Sequence, residues 1–226
     1  MNINEILGHH FKNPLLLQEA LSHPSICTKN KDAPIIKSYE RLEFLGDSAL
    51  NLIISELLIK QFPNEDEGKL AKRRAALVAG EILAKIALSV DLGSRINMAL
   101  AEKKLGGLEN PNNLEDALEA VIGAIYLDSS IETLKQIIQN IWQKYIDEMT
   151  EVPNDPKSKL QEILQQNGNP LPIYELIETS GPKHMLTFKV RLNIPGLPIA
   201  IGEGKSKQQA EKAAAIIMLN QIIEKE

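Results

Sequence analysis

The chain has 226 residues, of which 43% are hydrophobic and 24% charged, with a formal net charge of −5. These are the fractions of a soluble globular protein, long enough for one large domain or two small ones. The acidic balance argues at first against a nucleic-acid partner, and the single cysteine, Cys27, excludes an internal disulfide and fits a reducing compartment.

Dividing the chain near Val152 changes the electrostatic picture. Up to residue 153 there are 16 basic and 22 acidic residues, a net −6; from 154 onward there are 9 and 8, a net +1. The acidic excess lies in the first part, where bound divalent cations would offset much of it. Met1 to Glu5 lacks a positive region followed by an apolar run, so no secretory signal is expected. The longest apolar stretch, Ala49 to Ile59, is interrupted by Asn51, Ser55 and Glu56 and is too short to span a bilayer. A cytoplasmic protein with no membrane partner is expected.

From Glu5 to Tyr145 apolar residues recur at three- and four-residue intervals, which predicts an all-helical domain. Its punctuation falls at Pro24, Asn30 to Pro34, Pro63-Asn64, Gly106-Gly107 and Asn110 to Asn113. Glu148 to Pro156 has little to bury and reads as a linker. Asp155 with Pro156 caps a helix that runs to about Gln166. The period then changes to two. Strands are expected over Ile173–Thr179, Met185–Ile194 and Leu197–Gly202, followed by an alanine-rich helix over Ser206–Ile223. The expected division is an all-α N-terminal domain over 1–150, a linker over 151–155, and a small α+β domain of order α-β-β-β-α over 156–226.

Two helical segments carry the chemistry. In Glu40-Arg41-Leu42-Glu43-Phe44-Leu45-Gly46-Asp47 the acids lie three and seven residues apart, on one helix face. In Asp116-Ala117-Leu118-Glu119 they lie three apart. Such spacings usually mark a solvated charged face. Here the neighbours are mostly apolar and a second acid pair matches the first. Carboxylates gathered in a partly buried place need a cation, and oxygen ligands suit Mg²⁺ or Mn²⁺. Phe44 falls near the acids, away from the expected core stripe of Leu42, Leu45, Ala49, Leu52 and Ile53, and needs its own pocket. Gly46 and Gly123 leave room for close approach. His9, His10 and His23 have no cysteine nearby to complete a zinc set, and Lys72-Arg73-Arg74 reads as a solvated helical face.

The segment ERLEFLGD resembles the signature of the ribonuclease III family. FPNEDEGKLAKRRAALV and DALEAVIGAIYLD follow in the order expected of that family. DPKSKLQEILQ, TSGPKHMLTFKV and GEGKSKQQAEKAAA are similar to the double-stranded-RNA-binding domain of its bacterial members. The resemblance covers nearly the whole chain. It implies a homodimeric endoribonuclease that cleaves double-stranded RNA to 5′-phosphate and 3′-hydroxyl ends with short 3′ overhangs. It also implies work on ribosomal RNA precursors and other structured transcripts.

The same resemblance implies that Glu43, Asp47, Asp116 and Glu119 surround Mg²⁺, with Mn²⁺ as a substitute. Glu40 and Glu67 would lie nearby and help hold the substrate strand and its water. Asp47 and Glu119 would be the most sensitive catalytic positions. Phe44 would plug into the partner subunit. In the small domain, Ser158, Gln161 and Glu162 would enter one minor groove of the duplex and His184 the next, while Lys205, Lys207 and Lys212 would meet phosphate.

Three residues depart from the family pattern. Glu115 replaces a small residue directly before Asp116, and is expected either to be solvated or to perturb the site. Gln208 replaces a frequent Lys or Arg, with the acid Glu211 nearby. Tyr39 stands where asparagine is frequent. Two other functions stay open on the sequence: a catalytically dead scaffold that only holds duplex RNA, and an all-helical nucleotide pyrophosphatase. The latter has no reason to carry the second domain.

Overall fold

The computed structural model describes residues 5–26, 37–153, 155–182 and 186–223. The chain divides into two compact units, Met1–Pro153 and Asn154–Glu226.

Among the described residues the regular structure of the first unit is helical apart from one small hairpin. Its helices are α1 (Pro14–Ala20), α2 (Glu40–Gln61), α3 (Glu67–Leu77), α4 (Gly80–Ser89), α5 (Leu100–Lys104), α6 (Pro111–Asp128) and α7 (Ile131–Glu148). Capping fixes several of these starts. Asn13, Asp66, Asn110 and Ser130 accept hydrogen bonds from backbone N–H groups of their own first turns, and Pro111 occupies the first position of α6.

Helix α6 is the axis of the core. Leu114, Ala117, Leu118 and every residue from Ala120 to Ile125 are buried. Helix α2 packs along it through Leu42, Gly46, Ala49, Leu50, Ile53, Ile54, Leu57 and Leu58. Trp142 of α7 is fully buried and its indole N–H donates to the Leu77 carbonyl at 3.0 Å, which ties α7 to the end of α3.

The N-terminus departs from the helical expectation. Strands β1 (Glu5–Ile6) and β2 (His9–His10) pair antiparallel across Leu7 and Gly8, both at positive φ (55° and 80°). Two successive left-handed residues make a tight hairpin turn, which helical periodicity does not reveal. The hairpin is held by the end of α6. Asp128 accepts the Lys12 and Asn13 N–H groups and contacts His9 Nε2, each at 2.8 Å.

The second unit comprises α8 (Pro156–Gln166), β3 (Ile173–Ser180), β4 (Thr187–Asn193), β5 (Ala200–Gly204) and α9 (Lys207–Ile223). The strands form an antiparallel meander in the order β3-β4-β5. One irregularity of register lies between Leu176 and Glu178. Both helices pack on one sheet face, around Leu160, Leu164, Leu192, Ile194, Ala200, Ala214, Ala215, Met218 and Leu219.

The α-β-β-β-α order is as expected, but the third strand begins later than Leu197. Gly196 is left-handed (φ 86°) and Pro198 has no N–H to offer, so pairing starts at Ala200. The alanines of α9 allow close approach to β5: a Cβ on Gly202 would lie 2.2 Å from both the Ala210 carbonyl and the Ala214 nitrogen. Among the described residues no helix is long and apolar enough to cross a membrane.

Candidate active site

The acids of the two motifs meet where α2 crosses α6. The crossing is made by two glycines. A Cβ on Gly46 would lie 1.8 Å from the Glu119 carbonyl oxygen, and one on Gly123 would lie 2.1 Å from that of Leu42. Backbone thus touches backbone. The side chains flanking the crossing, Glu43 and Asp47 on α2 and Asp116 and Glu119 on α6, are drawn to one place. On α2, at 100° per residue, the acids lie between the buried face and an apolar strip made by Phe44, Leu52 and Ile59.

The electrostatics record this proximity. Burial first, then Asp47, Glu115, Glu43 and Asp116, push the Glu119 carboxyl up to about 8. Burial, then Asp116, Glu40, Glu115 and Asp47, raise Glu43. Burial also raises Asp116, against the opposing influence of the Tyr39 hydroxyl and His23. The neighbouring acids thus make ionisation of Glu119 and Glu43 harder.

The four carboxylates are near one another but do not form a ready cage. Among the described residues no three His, Cys, Asp or Glu side chains converge as metal ligands. Like charges repel, and several of the acids turn instead to a neighbouring donor. Asp47 Oδ1 accepts from Asn51 Nδ2 at 2.7 Å, Asp116 Oδ2 accepts from the Tyr39 hydroxyl at 3.4 Å, and Glu40 accepts from Ser38 Oγ. The donor set still fits a hard divalent cation. It is all oxygen and carries more negative charge than it can hold ionised without a counter-ion.

Three residues beside the acids acquire a place that sequence reasoning did not assign. Tyr39 is 2% exposed, packs edge-on against His23, and reaches Asp116 with its hydroxyl. Burial, followed by the charge of Asp116, raises its pKa, so it remains a donor. Asn51, one turn beyond Asp47, steadies that acid. Glu115, expected in solvent, is half-buried instead: its carboxylate lies against Gly80, where an added Cβ would be 2.2 Å from Oε2. Burial raises its pKa too. The sequence signal for Asn51 was its i+4 spacing; for Tyr39 and Glu115 it was only their departure from pattern.

Glu40 begins α2 and is exposed, within electrostatic range of Glu43. Glu67 is not brought to the cluster. It lines a separate recess of about 310 Å³ with Ser55, Leu58, Ile59, Leu70, Ala71 and Arg74. That recess is two to three helical turns along α2 from Asp47, about 12–18 Å. Phe44 is 77% exposed, in keeping with its position off the core stripe. Leu52 was expected in that stripe but is 59% exposed, and with Phe44 and Ile59 (58%) forms an outward apolar strip.

The basic triplet of α3 is not a plain solvated face. Arg73 is buried, paired with Glu65, and Arg74 donates to Ser55 Oγ.

In the second unit, Ser158, Gln161 and Glu162 are exposed along one side of α8. Lys205 and Lys207 are exposed where α9 begins. That start is capped reciprocally: the Gln209 N–H donates to Ser206 Oγ, and the Lys205 N–H to Gln209 Oε1. Lys212 stands apart from this pair, one turn further on. It forms an ion pair with Asp155 at 3.0 Å, so its charge ties α9 to the cap of α8. The nearby acid Glu211 is matched by Lys157 at 2.6 Å. His184 and Cys27 lie outside the described residues.

Comparison with known proteins places the chain. Residues 13–145 match the family model described as ribonuclease-III-like, and residues 156–222 match that of the double-stranded RNA binding motif. Ribonuclease 3 of Ehrlichia canis (strain Jake) is 47% identical over 220 residues, 97% of this chain and 96% of that protein. Ribonuclease 3 of Wolbachia pipientis wMel is 44% identical over 220 residues, 97% of this chain and 94% of that protein. The solved nuclease domain of ribonuclease III from Campylobacter jejuni is 45% identical. It aligns with a TM-score of 0.56, covering 61% of this chain and 92% of that one. The chain belongs to the ribonuclease III family of endoribonucleases.

Proposed function

We propose that this protein is a Mg²⁺-dependent endoribonuclease that cleaves double-stranded RNA to 5′-phosphate and 3′-hydroxyl products with short 3′ overhangs. It acts as a homodimer in the cytoplasm, on ribosomal RNA precursors and other structured transcripts, and Mn²⁺ can replace Mg²⁺. One observation carries the reading: Glu43 and Asp47 of α2 meet Asp116 and Glu119 of α6 at a glycine-to-glycine crossing, in a chain that also matches a double-stranded RNA binding motif.

Glu43, Asp47, Asp116 and Glu119 would hold the cations. Bound divalent ions supply an activated water and neutralise charge at the scissile phosphate and the leaving 3′ oxygen. Asn51 and Tyr39 keep Asp47 and Asp116 oriented. Glu40, at the start of α2, would help hold the substrate strand. Glu67, at the start of α3, lines a recess too far from Asp47 to share its own chain's cluster, and would serve a site only from a second copy. The strip of Phe44, Leu52 and Ile59 supports such pairing, because it borders the acid face and leaves large apolar side chains in water. Two copies on one duplex cut opposite strands, which accounts for the overhangs.

The division of labour follows the chain. Residues 1–150 cleave and dimerise, 151–155 connect, and 156–226 hold the duplex. Ser158, Gln161 and Glu162 face a minor groove, His184 the next, and Lys205 and Lys207 the phosphates. Lys212 contributes by holding α9 against α8.

The test is cleavage of a long perfect RNA duplex with and without Mg²⁺, with end-group analysis. Glu119→Gln should abolish cleavage and leave duplex binding intact. Normal cleavage by that variant would remove Glu119 from the ligand set; cleavage in a chelator would remove the metal.

A further inference from the structure

Arg73 is 2% exposed, an unusual setting for an arginine on a nuclease surface helix. All three of its guanidinium nitrogens donate. Nε and Nη2 donate to the two oxygens of Glu65 at 2.8 and 2.7 Å. The group stacks 3.8 Å over the ring of Phe62, which ends α2. Nη1 donates to the carbonyls of Met149, at 2.6 Å, and Glu151, at 3.2 Å. These carbonyls are not in a helix. Met149 is the cap of α7 and Glu151 lies in the segment that leaves the first unit at Pro153.

The other end of that segment is also fixed. The Asp155 side chain accepts from the Lys157 and Ser158 N–H groups and pairs with Lys212. Between the last carbonyl held by Arg73 and the first cap of the second unit lie three residues, 152–154. Three residues of chain span at most about 10 Å. Without the Arg73 bonds Met149 keeps its N–H bond to Ile146 and its packing on the core, and Thr150 its bond to Glu148, so the unheld stretch would grow to residues 151–154, with a reach of about 14 Å.

We infer that Arg73 is a positioning residue for RNA cleavage: it clasps the exit of the nuclease unit, shortens the tether to the RNA-binding unit, and so raises the efficiency with which a captured duplex reaches the acids. This rests on the division of labour proposed above. A guanidinium is suited to the task, since one planar fork can bind a carboxylate with one edge and carbonyls with another. Effective concentration across a flexible tether falls roughly as the −3/2 power of its length, so lengthening the tether from three residues to four lowers it about 1.5-fold.

The test uses the full chain and the double variant R73M/E65Q. It removes both charges while keeping apolar volume against Phe62, so that no unpaired carboxylate is left behind. R73K serves as a second variant that keeps the charge but not the fork. A glutamate-specific protease should cut the variants after Glu148 or Glu151 at least several-fold faster than the parent protein, at equal thermal stability. With a long RNA duplex at physiological salt, KM should rise about 1.5-fold and kcat should stay unchanged.

If R73M/E65Q folds with parental stability yet shows the parental protease rate, the clasp is overturned, whatever the nuclease activity. If proteolysis accelerates but KM is unchanged, the coupling to cleavage is overturned. Should R73M/E65Q melt early, R73K decides by the same two readouts. The protease arm needs no RNA, so failure of the clasp is distinguishable from failure of the assigned activity.

Discussion

Substituting Gly46 by alanine tests the geometry on which the site depends. The new methyl carbon would lie 1.8 Å from the Glu119 carbonyl oxygen, 2.6 Å from its carbon and 2.9 Å from the Gly123 nitrogen. These are backbone atoms of a buried helix, and no rotamer change relieves them. Reaching even a tight 3.0 Å contact requires α2 and α6 to part locally by about 1.2 Å. Overpacking of this kind costs about 1–3 kcal/mol, and against rigid backbone the upper end applies. Alanine recovers about 1 kcal/mol of helix propensity, so the net loss is about 2 kcal/mol. At 2–4 °C per kcal/mol for a protein of this size, the melting temperature should fall by about 4–8 °C.

Activity should fall further than stability. Glu119 and its partners are displaced by about an ångström, and misplacement on that scale costs on the order of 10²-fold. Thermal melting by circular dichroism and duplex cleavage at saturating Mg²⁺ are the assays. Gly123→Ala, whose Cβ would meet the Leu42 carbonyl at 2.1 Å, should reproduce both effects. The double variant should lose less than the sum, since one separation relieves both clashes. A Gly46→Ala protein that melts within 1–2 °C of the parent (about half a kcal/mol) and cleaves normally would refute the close crossing as the source of the site.

Asp128 offers a test by pH. Burial disfavours its charge, but the Lys12 N–H, His9 and the Asn13 N–H outweigh it and hold the carboxyl below its ordinary value. A depressed folded-state pKa contributes stability that is fully present above the unfolded value of about 3.9 and is lost as pH falls through the folded value. Asp128→Asn should therefore cost about 1–3 kcal/mol near neutrality, and the gap to the parent should close below about pH 4. An equal gap at pH 3 and pH 7 would contradict this.

Phe44→Ala should weaken self-association tenfold or more in sedimentation equilibrium, as removal of a buried aromatic anchor does. An unchanged dimer would take Phe44 out of the interface. Removing residues 154–226 should weaken duplex binding most at physiological salt and least at low salt. A truncated chain that binds normally at physiological salt would count against the division of labour.

Local pattern was enough for much of this protein. The 3.6-residue period marked the helices and the period of two marked the strands. Asp155 with Pro156 announced α8, and acids at three- and seven-residue spacing announced the site face of α2. Each of these is a relation between residues close in the chain, and the backbone alone converts it into a shared face. Phe44 was legible for the same reason.

What the sequence could not contain was the meaning of a residue whose partner is distant. Arg73 reads as solvated beside Lys72 and Arg74 until Glu65, Phe62 and the carbonyls of Met149 and Glu151 surround it. Glu115 reads as solvated until α4 presents Gly80, and the ion pair of Lys212 has no sign in the sequence until Asp155 stands opposite. The turn at Leu7 and Gly8 is stabilised from Asp128, more than a hundred residues away. Burial and ion pairing are properties of three-dimensional neighbourhoods, and a one-dimensional spacing says nothing about which helix will lie across from it. That is why the shared helix faces of the acids were readable in the chain, while their repulsion, their supporting donors and the distance of Glu67 from them were decided only by packing.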